Sequence, residues 1–495
     1  MNTLVGIPNQ YPEEEFLHLV LEVFPRFMAL DQAFTAASAP NFLPFLRDVF
    51  AAETKGYENG YIYRRSDRTI IARIEEIIEK LVKIPEVLAN IQTILFPALV
   101  QLLQVRSSTN GNLKAGLGNV FRMLKIIVRA STSPLGEELL QPLPLLLRVL
   151  DETIHTLGEN GKTLNITTIK EGVELLRAYI VTSPSQFCSL KDSEGRSALH
   201  YALELASNLL NPQTCERALI DVGLLVNILV QTTGDQLAER KEILLRLVLN
   251  KLYMSKNFDV KQSLMMVFAH SVHTQFESVM DFLATFPGPS GTSALEFVLK
   301  EWVSMQKSFN GEFDIKISYI ALAKILQYGI NSSDQRLVAI QVNDDEILCE
   351  ETSVRTQAQK KETHVEHTPI TLLVKIFKLL LFFMQSKLEV DSWSDEASHD
   401  KESGHESEIG GDASENFESE VVDLSTLLKE EDCNDLASVC SYAEVLQHPL
   451  YSVNLCVYLK GFISQFVAQG VFESSFRSYL NKAEKKTLRL LGINV

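Results

Sequence analysis

The chain has 495 residues, 46% of them hydrophobic, and a formal net charge of -17. This length exceeds what one compact core normally supports, so several domains or an extended array are expected. Nucleic-acid binders need a positive surface, so the acidic balance argues against phosphate-backbone binding and favours a basic partner. The six cysteines are scattered without a CxxC pair and predict reduced thiols in the cytoplasm or nucleus.

Neither a secretory signal nor a membrane span is predicted. Met1–Gln10 has no basic start and no apolar stretch of signal-peptide length. The most apolar run, Ile370–Met384, contains Lys375 and Lys378 and is shorter than the roughly 20 residues that cross a bilayer.

Pairs of helices recur along most of the chain. Apolar residues follow one helical face over Ile70–Leu81, and Pro85 begins a second helix that is predicted to reach Gln104 with a bend at Pro97. Successive pairs begin about 35 to 50 residues apart, which brackets the repeat length of HEAT and armadillo proteins. The predicted fold class is therefore all-α, a HEAT-repeat superhelical solenoid over residues 1–388. The further predicted pairs are Val120–Val128 with Leu145–Leu150, Ile166–Tyr179 with Ser197–Leu209, Cys215–Val230 with Gln236–Leu252, Val260–His270 with Ser278–Phe286, and Ser293–Met305 with Ile315–Tyr328.

A polar stretch interrupts this rhythm at about residues 331–368 and is predicted to be a long loop between repeats. Within it, Leu337–Val342 is the best strand signal of the chain, although an extended loop fits it equally well. The helical pattern resumes at Leu372–Leu388, where Ile376–Phe383 is apolar nearly all round and predicts a buried central helix. Ser293–Glu296 has the sequence of a capping box at a helix start.

Nearly all of the net charge belongs to one segment. Between Glu389 and Asp435 there are 17 Asp and Glu against only Lys401 and Lys429, a net charge of -15, which leaves the rest nearly neutral. The segment has too few apolar residues to offset the entropy of ordering, so residues 389–435 are predicted to be a disordered acidic insert. Helical patterns return after it, and residues 436–495 are predicted to form a closing helical repeat.

No group of residues supports catalysis or metal binding. Gly161-Lys162-Thr163 resembles the end of a phosphate-binding loop, but Thr156 stands where its first glycine is required. His364-Val365-Glu366-His367 lacks the HExxH spacing of a zinc site. His270 and His273 share a helix face without further ligands and are interpreted as ordinary helix residues. The chain is predicted not to be an enzyme and to need no cofactor.

Several segments, taken together, carry a family resemblance: Phe297–Trp302, Ala323–Asn331, Leu372–Ile376, Pro449–Tyr451 and the chain end Leu490–Ile493. They resemble consecutive stretches near the C-terminus of receptors of the importin-beta, or karyopherin, superfamily. The order also matches: helix pair, long loop, apolar helix, acidic loop, closing helices.

The resemblance implies a HEAT-repeat nuclear import receptor that moves between cytoplasm and nucleus. It would carry core histones and ribosomal proteins, contact nucleoporins and be regulated by the GTP-bound Ran GTPase. Members of the family are about twice this length, and the N-terminal arch that makes their main Ran contacts is not recognisable here. The resemblance therefore implies that this chain corresponds to the C-terminal half of such a receptor.

The acidic insert is the one feature that building a solenoid does not explain. An acidic loop near a concave repeat surface would attract basic cargo, so the proposed cargo-binding charges are its carboxylates. Two alternatives stay open: a solvating spacer for the insert, and, for the whole chain, a HEAT-repeat scaffold that assembles a complex without transport activity. The carboxylates are Asp391, Asp395, Glu396, Asp400, Glu402, Glu406, Glu408, Asp412, Glu415, Glu418, Glu420 and Asp423.

Overall fold

The structure, a computed structural model, describes residues 14–56, 65–107, 116–160, 163–192, 194–233, 238–344, 368–399 and 448–494. The chain divides into two compact units, Met1–Val267 and Phe268–Val495. The helices that begin in the first unit are α1 Glu14–Leu30, α2 Gln32–Gly56, α3 Arg65–Leu81, α4 Pro85–Ile94, α5 Phe96–Ser107, α6 Leu117–Ala130, α7 Glu137–Leu140, α8 Leu143–Asn160, α9 Thr163–Thr182, α10 Pro184–Ser189, α11 Ala198–Leu209, α12 Val222–Thr233, α13 Ala238–Met254 and α14 Phe258–Thr274.

The helices of the first unit stack on the equivalent helices of neighbouring repeats. In one layer, α3 contacts α6, α6 contacts α9 and α9 contacts α12, while α8 contacts α11 in the other. Helix α6 is buried almost all round, because α3, α5 and α9 all pack against it. Each repeat thus completes the core of the next, as in helical repeat proteins, and the predicted all-α fold class of HEAT-like repeats is confirmed.

The second helix of the first predicted pair is interrupted at Leu95, slightly earlier than the bend predicted at Pro97. Pro97 lies in the first turn of α5, where its missing N–H costs no hydrogen bond. Pro85–Val105 is the one stretch in the described ranges that is long and apolar enough to cross a membrane. One face of it is buried against α2 and α6, as in a core helix of a repeat.

Helix α12 begins at Val222, later than the predicted start at Cys215. A 3-10 turn at Glu216–Ala218 takes the place of the missing helical turns. The Glu216 carboxylate accepts hydrogen bonds from the backbone N–H groups of Lys256 and Asn257 at 2.9 and 2.7 Å. These hydrogen bonds to the residues just before α14 hold the chain around Glu216 in a turn instead of a helix.

A buried lysine holds the loop that precedes this turn. The Lys251 side chain is only 2% exposed. Its ammonium donates to the carbonyl oxygens of Asn211, Pro212 and Thr214 at 3.0, 3.3 and 2.9 Å. Burial lowers the pKa of Lys251 from its ordinary value. The loop carbonyls therefore surround a cation supplied by α13.

Helices α12 and α14 approach each other at a glycine. A Cβ atom on Gly223 would lie 1.9 Å from the backbone oxygen of Ser263. The Gly223 N–H donates to the Ser263 hydroxyl oxygen at 3.1 Å. The residue at this position therefore has to be glycine for the two helices to pack as they do.

The second unit continues with helices and adds one two-stranded sheet. After the C-terminal turns of α14, its helices are α15 Phe276–Thr285, α16 Ala294–Met305, α17 Glu312–Ser332, α18 Gln335–Val338, α19 Leu372–His399, α20 Leu455–Val467, α21 Gly470–Ser475 and α22 Lys482–Leu490. Helix α19 contacts α16, α17, α20 and α22. It is the central helix of the unit, which confirms the prediction made from its apolar sequence.

Part of the polar stretch predicted as a loop forms regular structure, and the strand signal at Leu337–Val342 is placed too early, because residues up to Val338 form α18 and the strand begins at Gln341. After α18, strand β1 (Gln341–Asp344) pairs antiparallel with β2 (Thr368–Thr371), in the register Val342 opposite Ile370 and Asp344 opposite Thr368. Val342 and Ile370 are buried and both strands contact α19. Residues 345–367 of the predicted loop lie outside the described residues.

The capping box predicted at Ser293–Glu296 forms only in part. The Ser293 hydroxyl accepts from the Glu296 N–H at 3.2 Å, as predicted, but the Glu296 carboxylate forms an ion pair with Lys300 at 2.7 Å. A complete capping box forms instead at the start of α22, between Asn481 and Glu484. Lys300, four residues after Glu296, thus binds the carboxylate that would have completed the capping box.

Candidate cargo-binding region

The structure places three of the twelve proposed cargo-binding carboxylates. Asp391, Asp395 and Glu396 lie in the last turns of α19, so residues 389–399, which the sequence assigns to the insert, continue a helix. The absence of Gly and Pro between Leu372 and Gly404 is consistent with this extension. The other nine lie outside the described residues: Asp400, Glu402, Glu406, Glu408, Asp412, Glu415, Glu418, Glu420 and Asp423.

The helix from which the acidic segment departs is firmly packed. Ile376, Phe377 and Leu380 are completely buried. The Phe377 ring packs against the ring of Phe466 at 5.0 Å between centroids. Further along, the rings of Tyr319 and Phe383 lie 4.8 Å apart. The N-terminal half of α19 is therefore a fixed base for the acidic residues at its other end.

A buried ionic group connects this base to the sheet and to the last helix. The Lys378 ammonium, with its side chain 7% exposed, donates to the Asp344 carboxylate of β1. It also lies 3.7 Å from the Glu484 carboxylate of α22. Burial raises the pKa of Glu484, although Lys378 and the Asn481 N–H act in the opposite direction. One lysine thus joins three elements that are distant in sequence.

The chain re-enters the second unit at His448, immediately after the undescribed segment. Its ring lies edge-on to His270 and Phe313, with centroid separations of 5.5 and 5.4 Å. The Lys316 ammonium donates to the carbonyl oxygen of Tyr451 at 2.8 Å and lies 5.4 Å from the centre of the Tyr451 ring. Aromatic packing and a buried cation therefore fix the returning chain on α14 and α17.

The residues that hold the returning chain form a return anchor, which consists of His270, His273, Phe313, Lys316, His448 and Tyr451. Its histidines are held in the neutral form. Burial lowers the pKa of His270 to about 3 and that of His273 to about 4, and it also lowers the pKa of His448. His273 Nε2 lies 3.0 Å from the Ile317 carbonyl oxygen, so this nitrogen carries the proton and donates. At neutral pH the histidines of the return anchor are therefore uncharged.

No local pattern in the sequence predicts the return anchor. The spacing of His270 and His273 indicates only ordinary helix-end residues, and Pro449–Tyr451 enters only through the family resemblance. His270 and His448 belong to segments far apart in sequence, so no local spacing could have paired them. An aromatic and basic group, Phe313 and Lys316, at the start of α17 was the available hint.

The first unit contains a ladder of buried charges across α3, α6 and α9. The Arg122 guanidinium donates to Glu75 at 3.1 Å and to Glu171 at 2.9 Å, and Lys125 donates to Glu171 at 3.2 Å. Burial raises the pKa of Glu75 to about 7, whereas the pKa of Glu171 is lowered because its two cations outweigh its burial. The ladder pairs helices of successive repeats by charge.

The described residues contain no group of three or more His, Cys, Asp or Glu that could hold a metal ion. His364–His367 and most of the phosphate-loop-like Gly161–Thr163 lie outside the described residues, apart from Thr163, which begins α9.

The stacked helices define a helical repeat protein. Comparison with known proteins is consistent with this class. The sequence profile described as importin-11-like, TPR repeats, matches residues 75–405, and the chain belongs to this importin family. The chain is also 29% identical to Importin-9 of Drosophila melanogaster over 367 residues, which are 74% of this chain and 33% of that protein.

The chain thus spans about a third of the length of the curated relative that it matches. Among solved structures, it is similar to a crystal structure of SYS-1 with a TM-score of 0.28 and 12% identity, over 67% of this chain and 58% of that chain. A similarity this weak carries no argument about fold or function. The family resemblance read from the sequence is confirmed by the profile and by the fly relative.

Proposed function

We propose that this chain is the cargo-binding part of a nuclear import receptor that carries basic proteins, such as core histones and ribosomal proteins, between cytoplasm and nucleus. The observation that carries the proposal is the similarity to Importin-9 over three quarters of the chain. Binding is regulated by GTP-bound Ran and passage uses nucleoporins. The protein binds its partners without catalysing a reaction and without a cofactor.

The acidic segment supplies the attraction for basic cargo. Its 17 Asp and Glu begin in the last turns of the packed helix α19 and precede the anchored return at His448. Charges held at this density raise the rate at which an oppositely charged protein is encountered, and salt screens the attraction over about 8 to 10 Å at moderate ionic strength. The segment therefore acts mainly on the association rate.

The test compares histone association in two variants with the same net charge. In the first, the twelve proposed carboxylates become Asn or Gln at constant length. In the control, twelve exposed acids elsewhere are replaced in the same way: Glu22, Asp48, Glu86, Glu137, Glu138, Glu152, Glu194, Glu204, Glu242, Asp259, Glu277 and Glu312.

We expect the first variant to associate with histones about tenfold more slowly at low salt and almost normally at high salt, because electrostatic steering is lost. The control should keep most of the parent rate. Equal rates in both variants would show that only total charge matters, and unchanged rates would reduce the segment to a spacer.

A second experiment separates a receptor from a scaffold that assembles a complex without transport. Cytosolic proteins retained on the immobilised chain are identified with and without GTP-loaded Ran. A receptor should release basic proteins in the presence of Ran, and we expect this chain to bind Ran more weakly than a full-length receptor does. A stable stoichiometric partner that ignores Ran would favour the scaffold.

A further inference from the structure

The last helix of the chain presents a basic face. Lys482, Lys485, Lys486 and Arg489 follow the spacing i, i+3, i+4 and i+7, which places them on one side of α22. Lys482, Lys486 and Arg489 are exposed and Lys485 is partly exposed. From His448 to Asn494 there are six Lys and Arg against two Asp and Glu, the reverse of the acidic segment before it.

The two acidic residues of this region do not neutralise the face. Glu473 pairs with Arg477 at 2.8 Å, while Glu484 accepts from the Asn481 N–H at 2.8 Å and faces Lys378. Within the described ranges, none of the four basic side chains forms an ion pair with an acidic residue. Elsewhere in this unit, Lys300 pairs with Glu296 and Arg336 with Asp334.

An apolar side chain extends the same face. Leu490 follows Lys486 by four residues and is 62% exposed. A helix side that combines positive charge with an exposed leucine fits a partner segment that combines carboxylates with apolar residues.

This chain contains such a segment. Within Glu418–Asp432, six acids are interleaved with five aliphatic residues: Glu418, Glu420, Val421, Val422, Asp423, Leu424, Leu427, Leu428, Glu430, Glu431 and Asp432. We propose that the basic face of α22 is the docking surface for residues 418–432 of the same chain.

The connections of the chain favour this occupant over a separate acidic protein. The segment is joined to α19, which packs on α22 where Lys378 lies 3.7 Å from Glu484. The stretch from Asp400 to Gln447 has 48 residues, enough to extend about 160 Å, so reach is not limiting. A tether of this kind gives an effective concentration on the order of millimolar, which a free competitor has to exceed.

The inference goes beyond the proposed function because the contact needs no cargo and no Ran. It is tested on the full chain alone, by the acetylation rates of Lys482, Lys485 and Lys486 measured by mass spectrometry. At low salt the docked segment should protect these lysines. Raising the salt should increase their acetylation about threefold, because the docking contact is screened.

Two matched variants identify the protecting residues. Neutralising the six acids of residues 418–432 to Asn and Gln should give fast acetylation at every salt concentration. Neutralising six acids in the preceding stretch changes the net charge equally and should leave the protection in place: Asp400, Glu402, Glu406, Glu408, Asp412 and Glu415. Equal behaviour of the two variants, or no protection in the parent, overturns the assignment.

Carbodiimide cross-linking identifies the partner directly. In an equal mixture of unlabelled and nitrogen-15-labelled chains, cross-links from α22 lysines to residues 418–432 should join fragments with the same label. Mixed-label links would show docking between two copies and overturn the intramolecular contact. Links to acids outside residues 418–432 would overturn the choice of segment. Histone association can fail in the earlier test while these links persist, so the two proposals fail separately.

Discussion

Lys251 supports a loop through three carbonyl oxygens, so its removal should be costly. In Lys251→Met the volume is nearly kept but the carbonyls of Asn211, Pro212 and Thr214 lose their buried donor. Leaving buried acceptors unsatisfied should lower the free energy of unfolding by about 3 kcal/mol. Thermal unfolding followed by calorimetry measures the loss.

The matched control is Lys256→Met, a few residues further along the chain, where the lysine side chain is exposed. A surface change of this kind should alter stability by no more than about 0.5 kcal/mol. Similar losses in the two variants would mean that the three carbonyl contacts contribute little.

The neutral histidines of the return anchor predict acid sensitivity. His270 has a pKa of about 3 in the folded chain, well below its value of about 6.5 when unfolded. Below pH 6.5 the unfolded chain takes up the proton more readily, so stability is complete above that pH and falls as the pH approaches 3. Lowering the pH from 7.5 to 4.5 should therefore reduce the free energy of unfolding by about 2 to 3 kcal/mol through His270 alone.

The measurement is urea unfolding followed by tryptophan fluorescence, because both tryptophans, Trp302 and Trp393, belong to the second unit. His270→Phe keeps a ring against Phe313 and should flatten the pH dependence. His155→Gln, at an exposed position, should keep the parent profile. A parent-like slope in His270→Phe would show that the anchor does not sense pH.

Residue-scale sites of this kind were beyond sequence reasoning. Lys251 and His270 sit within ordinary amphipathic helices, and nothing in the neighbouring residues marks one lysine or histidine as buried. Their partners come from other helices or from loops about 40 or more residues away. The helix signals of Ser293 and Pro85 were readable because a cap and a first-turn proline depend on local backbone only.

At the scale of elements, helix packing predicts that replacing two different glycines by alanine has opposite effects on stability. Gly223→Ala puts a Cβ atom 1.9 Å from the Ser263 oxygen, and the required helix shift should cost about 3 kcal/mol. Gly461→Ala lies in mid-helix α20 with nothing within 4 Å of the new atom, and it should stabilise by about 0.5 to 1 kcal/mol. Thermal unfolding of both variants checks the sign of each change.

The charge ladder between repeats makes a second prediction at this scale. Arg122→Met leaves Glu75 and Glu171 facing each other without their shared guanidinium. This should lower the free energy of unfolding by about 2 kcal/mol. Adding Glu75→Gln removes the carboxylate that has lost its partner, and it should recover about half of the lost stability. No recovery in the double variant, measured by thermal unfolding at pH 7.5, would mean that Arg122 acts through packing alone.

Helices were predicted well because the 3.6-residue pattern is local, and the central position of α19 followed from its apolar sequence. The β ribbon was located only in part: the strand signal at Leu337–Val342 overlaps the start of β1, but β2 pairs with it across a long stretch of sequence that gives no local pattern. The start of α12 was misplaced because the competing tie of Glu216 to Asn257 involves distant residues.

For the whole molecule, the uneven distribution of charge predicts a limit on how far the acidic segment can be neutralised. Replacing all 17 of its acids by Asn or Gln takes the formal net charge from -17 to zero, whereas replacing the twelve proposed carboxylates leaves -5. A protein near zero net charge loses the repulsion between copies. Light scattering at low salt should show self-association of the first variant and not of the second.

Association of both variants to the same extent would point to the exposed apolar residues of the helices, such as Val457, as the cause. No association in either would show that the nearly neutral body resists association without the acidic segment. Sequence reasoning located this charge correctly, because counting charges requires no structure. The assignment of the twelve carboxylates to cargo binding stays a prediction.

The antiparallel ribbon places the ends of residues 345–367 beside each other, since Asp344 is paired with Thr368. Chain inserted between two ends that are already joined bears only a small additional closure entropy, about 0.6 kcal/mol for each doubling of its length. The position is therefore expected to be a permissive insertion point. A fluorescent domain or affinity tag placed between residues 345 and 367 should leave the helices on either side in register, which offers a site for following this protein inside a cell.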